Sequence, residues 1–357
     1  MTPLRAKPVR VGVVGLHYAA GTHLPVYAAL AREGLVELVA VATAHRDTAD
    51  EAARTHGVPR AHVGFEALCA DPEVDLVDVA TRPSRHAAMV SAALGAGKHV
   101  LCEAPLARST GEGLEMTEAA RAADRVAVVD MQSRYWPGLA ELHRRVRDGG
   151  IGRVDNVAVQ AFYPTFTNPA AVRGSGWCAE AAHGASSLRV HGLHTADVLR
   201  WVFGELGDVR GLVARRAPTW PGPDGPVPAD SVDSAAWTAR TGDGALCSVH
   251  SSWVAPGGGG WRLVAHGSDG VLVAEAAGHT GHFPVRLSGA RPGEALAEIV
   301  PAEGGATEPF TRLVRALVAH LTEGAPAADL PTFADGVAAL RVADAVDGGL
   351  TALTSVD

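Results

Sequence analysis

Lysine is nearly missing from this sequence. The 357-residue chain has it at Lys7 and Lys98 alone, although Lys and Arg together number 31. So few amines leave little scope for Schiff-base or lysine-mediated proton chemistry. Cysteine is scarce too: Cys69, Cys102, Cys178 and Cys247 lie far apart and fit neither a disulfide framework nor a zinc knuckle. That pattern suits a reduced, cytoplasmic compartment. No uninterrupted apolar stretch approaches bilayer length, and the opening "MTPLRAKPVRVGVVG" runs into a strand without an apolar leader core. Positive charge is in deficit, the formal net charge being −8. Phosphate backbones are bound by concentrated Lys and Arg, so neither nucleic acid nor a membrane is the expected partner. A small molecule is.

What is present is an ordinary globular composition, 47% hydrophobic and 20% charged, with enough length for two cores. The first third alternates apolar runs with helical spacing. "VRVGVVG" (9–15) reads as a strand covered on both faces, followed by the helical "THLPVYAALARE". "VELVAVAT", "VDLVDVAT", "VLCEAP" and "VAVVDM" repeat the strand, with Ala-rich helical segments between them. This beat predicts an α/β domain with a doubly wound parallel sheet over residues 1–130, whose ligands bind at the carboxyl ends of the strands.

After about residue 131 the pattern changes. The helix "PGLAELHRRVRDGG" leads to the strand "VDNVAVQAFYP" and then to the long helix "SSLRVHGLHTADVLRWVFG". Five alternating segments follow, from "VRGLVARRA" to "GVLVAEA". They predict an α+β domain over 131–357 with an open-faced, largely antiparallel sheet. "APTWPGPDGPVPAD" (217–230) and "APGGGG" (255–260) read as loops, and two amphipathic helices within 308–350 are expected to pack back on the first domain.

"GLHYAA" (15–20) stands where a dinucleotide fingerprint belongs, directly after the first strand. Gly15 permits the tight turn and Ala20 a close helix–strand approach, but His17 occupies the middle glycine position. The end of the second strand reads Thr43, Ala44, His45, Arg46, with no carboxylate for a ribose hydroxyl. A hydroxyl and two potential cations suit a 2′-phosphate, which favours NADP(H) over NAD(H). A nucleotide-free turn, and an Arg46 that only solvates a helix start, are the structural alternatives.

Taken together, "VGVVGLHYAAGTHLP", "HAAMVSAALGAGKHVLCEAPLA" and "GLHTADVLRWVFGE" resemble the Gfo/Idh/MocA family of oxidoreductases over essentially the whole chain. The resemblance implies a Rossmann domain and an open-sheet domain. It also implies hydride transfer between NAD(P) and a carbonyl or alcohol, often of sugars or cyclitols, and homodimers or homotetramers formed through the open sheet. Two departures stand out. The family's Glu-Lys-Pro triplet is here Glu103, Ala104, Pro105, and the aspartate expected four residues before His194 is Val190. Of the polar groups usually credited with substrate activation, the histidine alone remains.

His194 is therefore the candidate acid/base, with His191 one helical turn earlier and Tyr135 as further catalytic candidates. Thr81, Arg82 and His86 follow the strand expected beneath the cofactor, and Glu103, Ala104 and Pro105 form a corner beside it with a cis bond before the proline. Arg134, Trp136, Trp177 and Arg189 are candidate substrate contacts. Tyr163, Phe166 and Trp220 stand in the two loops (162–183 and 217–230) expected to overhang the pocket. No metal set appears at recognised spacing. The expected function is oxidoreduction of a carbonyl, hydroxyl or imine on a small sugar-like, cyclitol or secondary-metabolite substrate. The alternatives are a cofactor fold turned to elimination, cyclisation or hydrolysis, and a cofactor-binding protein without turnover.

Overall fold

The computed structural model describes residues 8–326 and 329–348. By internal contacts the chain divides into two units, Met1–Asp130 with Phe310–Val337, and Met131–Pro309 with Ala338–Asp357.

In the first unit the alternating pattern becomes β1 (Val9–Val14), α1 (His23–Arg32), β2 (Val36–Thr43), α2 (Arg46–His56), β3 (Arg60–Val63), α3 (Phe65–Cys69), β4 (Leu76–Val79), α4 (His86–Gly95), β5 (His99–Cys102), α5 (Thr110–Ala122) and β6 (Ala127–Val129). The strands form one all-parallel sheet in the order β3-β2-β1-β4-β5-β6, which is the expected doubly wound arrangement. β4 and β5 are buried at every position, Asp78 and His99 included. The sequence reading passes over β3 and α3. "RAHV" is partly exposed along its length and carries no apolar alternation to read.

Lys98 has a structural task in this unit. Its Nζ donates to the carbonyls of Asp71 and Val74, each at 2.7 Å, and so satisfies two acceptors that the chain reversal before β4 leaves inside. Lys7 lies outside the described residues.

The second unit contains α6 (Pro137–Arg147), β7 (Val154–Phe162), α7 (Pro169–Ser175), α8 (His191–Phe203), β8 (Gly207–Ala214), β9 (Thr219–Gly222), β10 (Gly225–Pro228), β11 (Ser234–Arg240), β12 (Leu246–Ser252), β13 (Gly260–Gly267), β14 (Gly270–Ala276), β15 (Arg286–Ala290) and β16 (Ala297–Val300). Two closing helices, α9 (Glu308–Glu323) and α10 (Phe333–Asp347), are divided between the units. Eight strands make a mixed sheet in the order β16-β15-β14-β13-β7-β12-β11-β8, antiparallel except where β12 runs parallel to β7. Strict alternation of buried and exposed residues in β7, β11 and β12 gives the sheet a covered face and an open face.

Residues 217–230, expected to be a loop, instead carry the hairpin β9–β10. Its prolines and glycines hide the strand pattern, while "PDG" supplies the turn between the two strands. Trp220 does not overhang a pocket. It is fully buried, stacked on Phe166 at 4.2 Å, in a core that also holds Val172, Cys178 and Trp253, with Trp177 packed against it. Indole burial at this density stabilises the unit more than exposure would.

α8 is buried on nearly every side, yet it carries polar residues. Each has a named use. Thr195 Oγ1 accepts from Trp261 Nε1 at 3.0 Å, and Asp197 takes the Arg134 guanidinium through two hydrogen bonds at 2.8 and 2.5 Å. This removes Arg134 from the free substrate clamps, because both partners of the pair are buried. Arg189 is likewise committed, donating to Asp344 and Asp347 of α10 at 2.6 Å each. Trp136 is buried and donates its indole N–H to the Thr280 carbonyl at 2.5 Å. All three candidate contacts hold the second unit together.

Candidate active site

In the first unit the candidate cofactor residues gather at the carboxyl ends of the strands. Gly15 closes β1 with φ +89°, and a Cβ there would lie 2.4 Å from the Ala80 carbonyl oxygen. Only glycine fits that turn. The segment from Leu16 to Thr22 makes one irregular turn, with the Ala20 N–H donating to the Leu16 carbonyl at 3.0 Å, before α1 begins at His23. His17 is exposed on this turn. The turn fits the pyrophosphate cradle of a dinucleotide.

At the end of β2, Thr43 Oγ1 donates to the His45 carbonyl at 2.7 Å and shapes the start of α2. Arg46 donates to the Ala61 carbonyl and pairs with Asp50 on the surface, its side chain 59% exposed. After β4, Thr81 Oγ1 contacts the Met89 sulfur, and Arg82 is partly buried. His86 is fully buried between the carbonyls of Thr81 (2.9 Å) and Leu106 (3.1 Å). Burial lowers its pKa despite these two acceptors. It ties the loop after β4 to the loop after β5.

The corner after β5 has a cis peptide between Ala104 and Pro105, as expected. Glu103 Oε2 accepts the Ala104 N–H at 3.1 Å. Its other oxygen lies 2.8 Å from Nε2 of His23, whose Nδ1 contacts Asp78 Oδ2, also at 2.8 Å. Asp130 Oδ2 stands 3.9 Å from the same Nε2, and the imidazole stacks on Phe310 at 4.0 Å. Burial alone would lower the His23 pKa, but the carboxylates of Asp78 and Glu103 overcome that and raise it well above the ordinary value. Tyr27, buried beside them, is pushed up first by burial and then by the Asp78 charge, so it remains a neutral phenol.

His23, Glu103 and Asp130 are the one group of metal-type donors brought together among the described residues. Asp78 and Glu103 flank the same imidazole and favour its cationic form, so Asp78, His23 and Glu103 form an ion triad. Sequence reasoning missed it, although a charged Asp78 inside the apolar run "VDLVDV" was a readable signal.

In the second unit, His194 and His191 both project from the start of α8, and they have company. His279 stacks on His191 at 4.4 Å and meets His194 edge to face at 4.8 Å; His282 follows at 6.0 Å from His279. Tyr163, at the end of β7, packs edge-on against His191 and His279. The reading of the sequence overlooked "GHTGHF" (278–283), whose two histidines complete this cluster. His191 is driven down to about 3, by burial first and by the neighbouring histidines second. His279 falls well below its ordinary value for the same reasons. Both are neutral near pH 7. Nδ1 of His194 faces Ser133 Oγ at 3.4 Å. Tyr135 is partly buried on the same short turn as Ser133.

The ion triad makes a pH-dependent prediction. A raised histidine pKa stabilises the fold fully below its unfolded value and loses that contribution as pH rises through the folded value. His23→Gln, which leaves two buried carboxylates without their cation, should cost roughly 3–5 kcal/mol in urea unfolding near neutrality. The gap between wild type and variant should narrow as pH is raised from about 6 to beyond 9. A gap that is constant or widens over that range would show that the imidazole is not the cation.

Residues 9–131 match the model for an oxidoreductase family with an NAD-binding Rossmann fold, and residues 139–273 match the GFO/IDH/MocA C-terminal domain. An uncharacterised oxidoreductase of Synechocystis sp. is 28% identical over 268 residues, covering 74% of this chain and 70% of its own length. Levoglucosan dehydrogenase of Pseudarthrobacter phenanthrenivorans is 27% identical over 290 residues, 74% of this chain and 73% of that protein. Among solved structures, a levoglucosan dehydrogenase complex with NADH and levoglucosan has a TM-score of 0.84 at 24% identity, over 96% of this chain and 97% of that one. The parallel sheet, the glycine turn and both domain matches lead to one assignment: this chain belongs to the Gfo/Idh/MocA family and is a nicotinamide-dependent oxidoreductase.

Proposed function

We propose that the protein oxidises or reduces a hydroxyl, carbonyl or imine on a small sugar-like substrate, with His194 exchanging the substrate proton. The observation that carries this reading is the division of labour among the clustered histidines. His191 and His279 are neutral near pH 7 and cannot deliver a proton as cations. We assign the acid/base role to His194, whose Nδ1 faces Ser133 Oγ, with His191 as a neutral wall beside it. Tyr163, whose phenol burial pushes upward, stays protonated and serves as a hydrogen-bond donor. The relatives named for levoglucosan support a polyhydroxylated substrate class.

The nicotinamide cofactor supplies hydride acceptance or donation. Gly15 and the following turn hold its pyrophosphate, and Thr43, His45 and Arg46 meet the adenosine ribose. Ala20, Thr81, Arg82, His86 and the corner Glu103, Ala104, Pro105 complete the binding edge. We infer that NADP(H) is preferred. No carboxylate ends β2, and the Arg46–Asp50 pair is a surface pair worth well under about 1 kcal/mol, so the guanidinium is readily redirected to a 2′-phosphate. We further infer association of copies through the open sheet face, where Leu212 is 64% and Leu246 54% exposed beside the uncharged Ala158, Gln160, Thr238 and Ser248.

Three outcomes test the reading. With levoglucosan and related sugar or cyclitol alcohols as substrates, His194→Ala should lower turnover by about a hundredfold or more. Unchanged turnover would remove His194 from the chemistry. Fluorescence titration should show NADPH binding more tightly than NADH, with Arg46→Ala erasing the difference; equal affinities in wild type would refute the preference. Leu212→Arg should shift the sedimentation coefficient to that of a monomer, and a wild type already monomeric would refute the association.

A further inference from the structure

We propose that Ser133 and Thr280 form a two-hydroxyl brace that fixes the ring and the tautomer of His194, in a chain that has Val190 where the resemblance would place an aspartate. The proposal rests on the reading of His194 as the acid/base group.

The brace is well anchored. Ser133 Oγ lies 3.4 Å from His194 Nδ1 and 3.0 Å from Thr280 Oγ1, with Ser133 at 0% and Thr280 at 1% exposure. Ser133 belongs to the short 3-10 turn Gln132–Tyr135, whose backbone is closed by the Trp136 N–H donating to the Ser133 carbonyl at 3.2 Å. Thr280 is held from the other side, because its carbonyl accepts the buried Trp136 indole N–H. One tryptophan thus fixes both hydroxyl residues through its backbone and its ring.

The plane of His194 is set by a third contact. Its ring meets His279 at 79°, and His279 is itself immobilised. Nδ1 of His279 accepts the Gly281 N–H at 3.3 Å, and Nε2 donates to the His191 carbonyl at 3.4 Å. With one nitrogen accepting and the other donating, His279 is a neutral ring of fixed tautomer. It buttresses His194 without exchanging protons with it.

Two hydroxyls do something that a carboxylate cannot. In the imidazolium state Nδ1–H donates to Ser133 Oγ, whose own proton turns toward Thr280 Oγ1. In the neutral state Nδ1 keeps its proton and the same donation to Ser133 Oγ, whose own proton stays turned toward Thr280 Oγ1, so the tautomer with a deprotonated Nε2 is selected. Both states are served with no heavy atom displaced. A carboxylate in this position would favour the cation specifically. The charged and titratable groups packed nearby do not replace it: Asp197 is consumed by Arg134, and His191 and His279 stay neutral. The brace orients Nδ1 toward Ser133, which assigns Nε2 as the reacting nitrogen.

Long-range 1H–15N spectra of the full-length protein labelled with 15N-histidine test this directly, with His194→Ala identifying the His194 signals. The expected wild-type pattern is one dominant tautomer. Ser133→Ala should move the His194 ring nitrogens toward an averaged, two-tautomer pattern, Ser133→Thr should restore the original one, and Thr280→Val should give a smaller change of the same sign. The His279 and His191 signals should hold still in all three, which reports an intact fold. His194 signals unchanged in both Ser133→Ala and Thr280→Val would overturn the brace. Because the readout is not turnover, a brace confirmed alongside a fully active His194→Ala enzyme would instead fault the assignment of His194 to catalysis.

Discussion

An imidazolium clamped between two buried carboxylates governs the carboxyl edge of the parallel sheet. Asp78 is fully buried in the middle of the β4 run, where an unpaired carboxylate would cost several kcal/mol. His23 answers it, and His23 is where it is because Gly15 turns the chain with a positive φ and α1 starts eight residues past it. The same ring reaches Glu103, and Glu103 in turn accepts the backbone N–H of Ala104. One chain of contacts therefore runs from the glycine turn to the corner after β5. The two segments that build the cofactor edge are not independent loops. They share a cation.

The second unit uses the same side chain with the opposite electrostatics. His191 is partly buried and His279 buried, but no carboxylate among the described residues pairs with either. The nearest acid on α8, Asp197, is consumed by Arg134. Desolvation then prevails, and the two rings stack as neutral aromatics. Burial by itself does not decide the charge of a histidine; the partner does. This is why one histidine in this protein serves as a structural cation and two others as apolar walls.

How much of this was readable in advance follows from where the signal lies. Buried parallel strands are continuous apolar runs, so β1, β2, β4 and β5 could be read directly, as could the alternation in β7, β11 and β12. The half-exposed "RAHV" of β3 carries no such period. The hairpin β9–β10 is masked by prolines that read as loop. Individual side chains were harder. Gly15 and His86 were singled out by their position after strands, and they lie in the segments that follow β1 and β4. Arg134, Arg189 and Trp136 looked like ligand contacts because polar and aromatic residues at a domain junction attract that reading; their partners Asp197, Asp344, Asp347 and Thr280 are 63 to 158 residues away. Long-range pairing leaves no local trace in a sequence. His279 and Thr280 were missed for the same reason.

The alanine at 104 has its sharpest meaning beside Lys98. Both lie at ends of β5, one at each. Lys98 is retained where two inward carbonyls, of Asp71 and Val74, require a donor that can reach them both. A methyl at position 104 keeps the corner hydrogen bond, which uses only the backbone N–H, so that corner makes no demand on a long side-chain donor, whereas the reversal before β4 does.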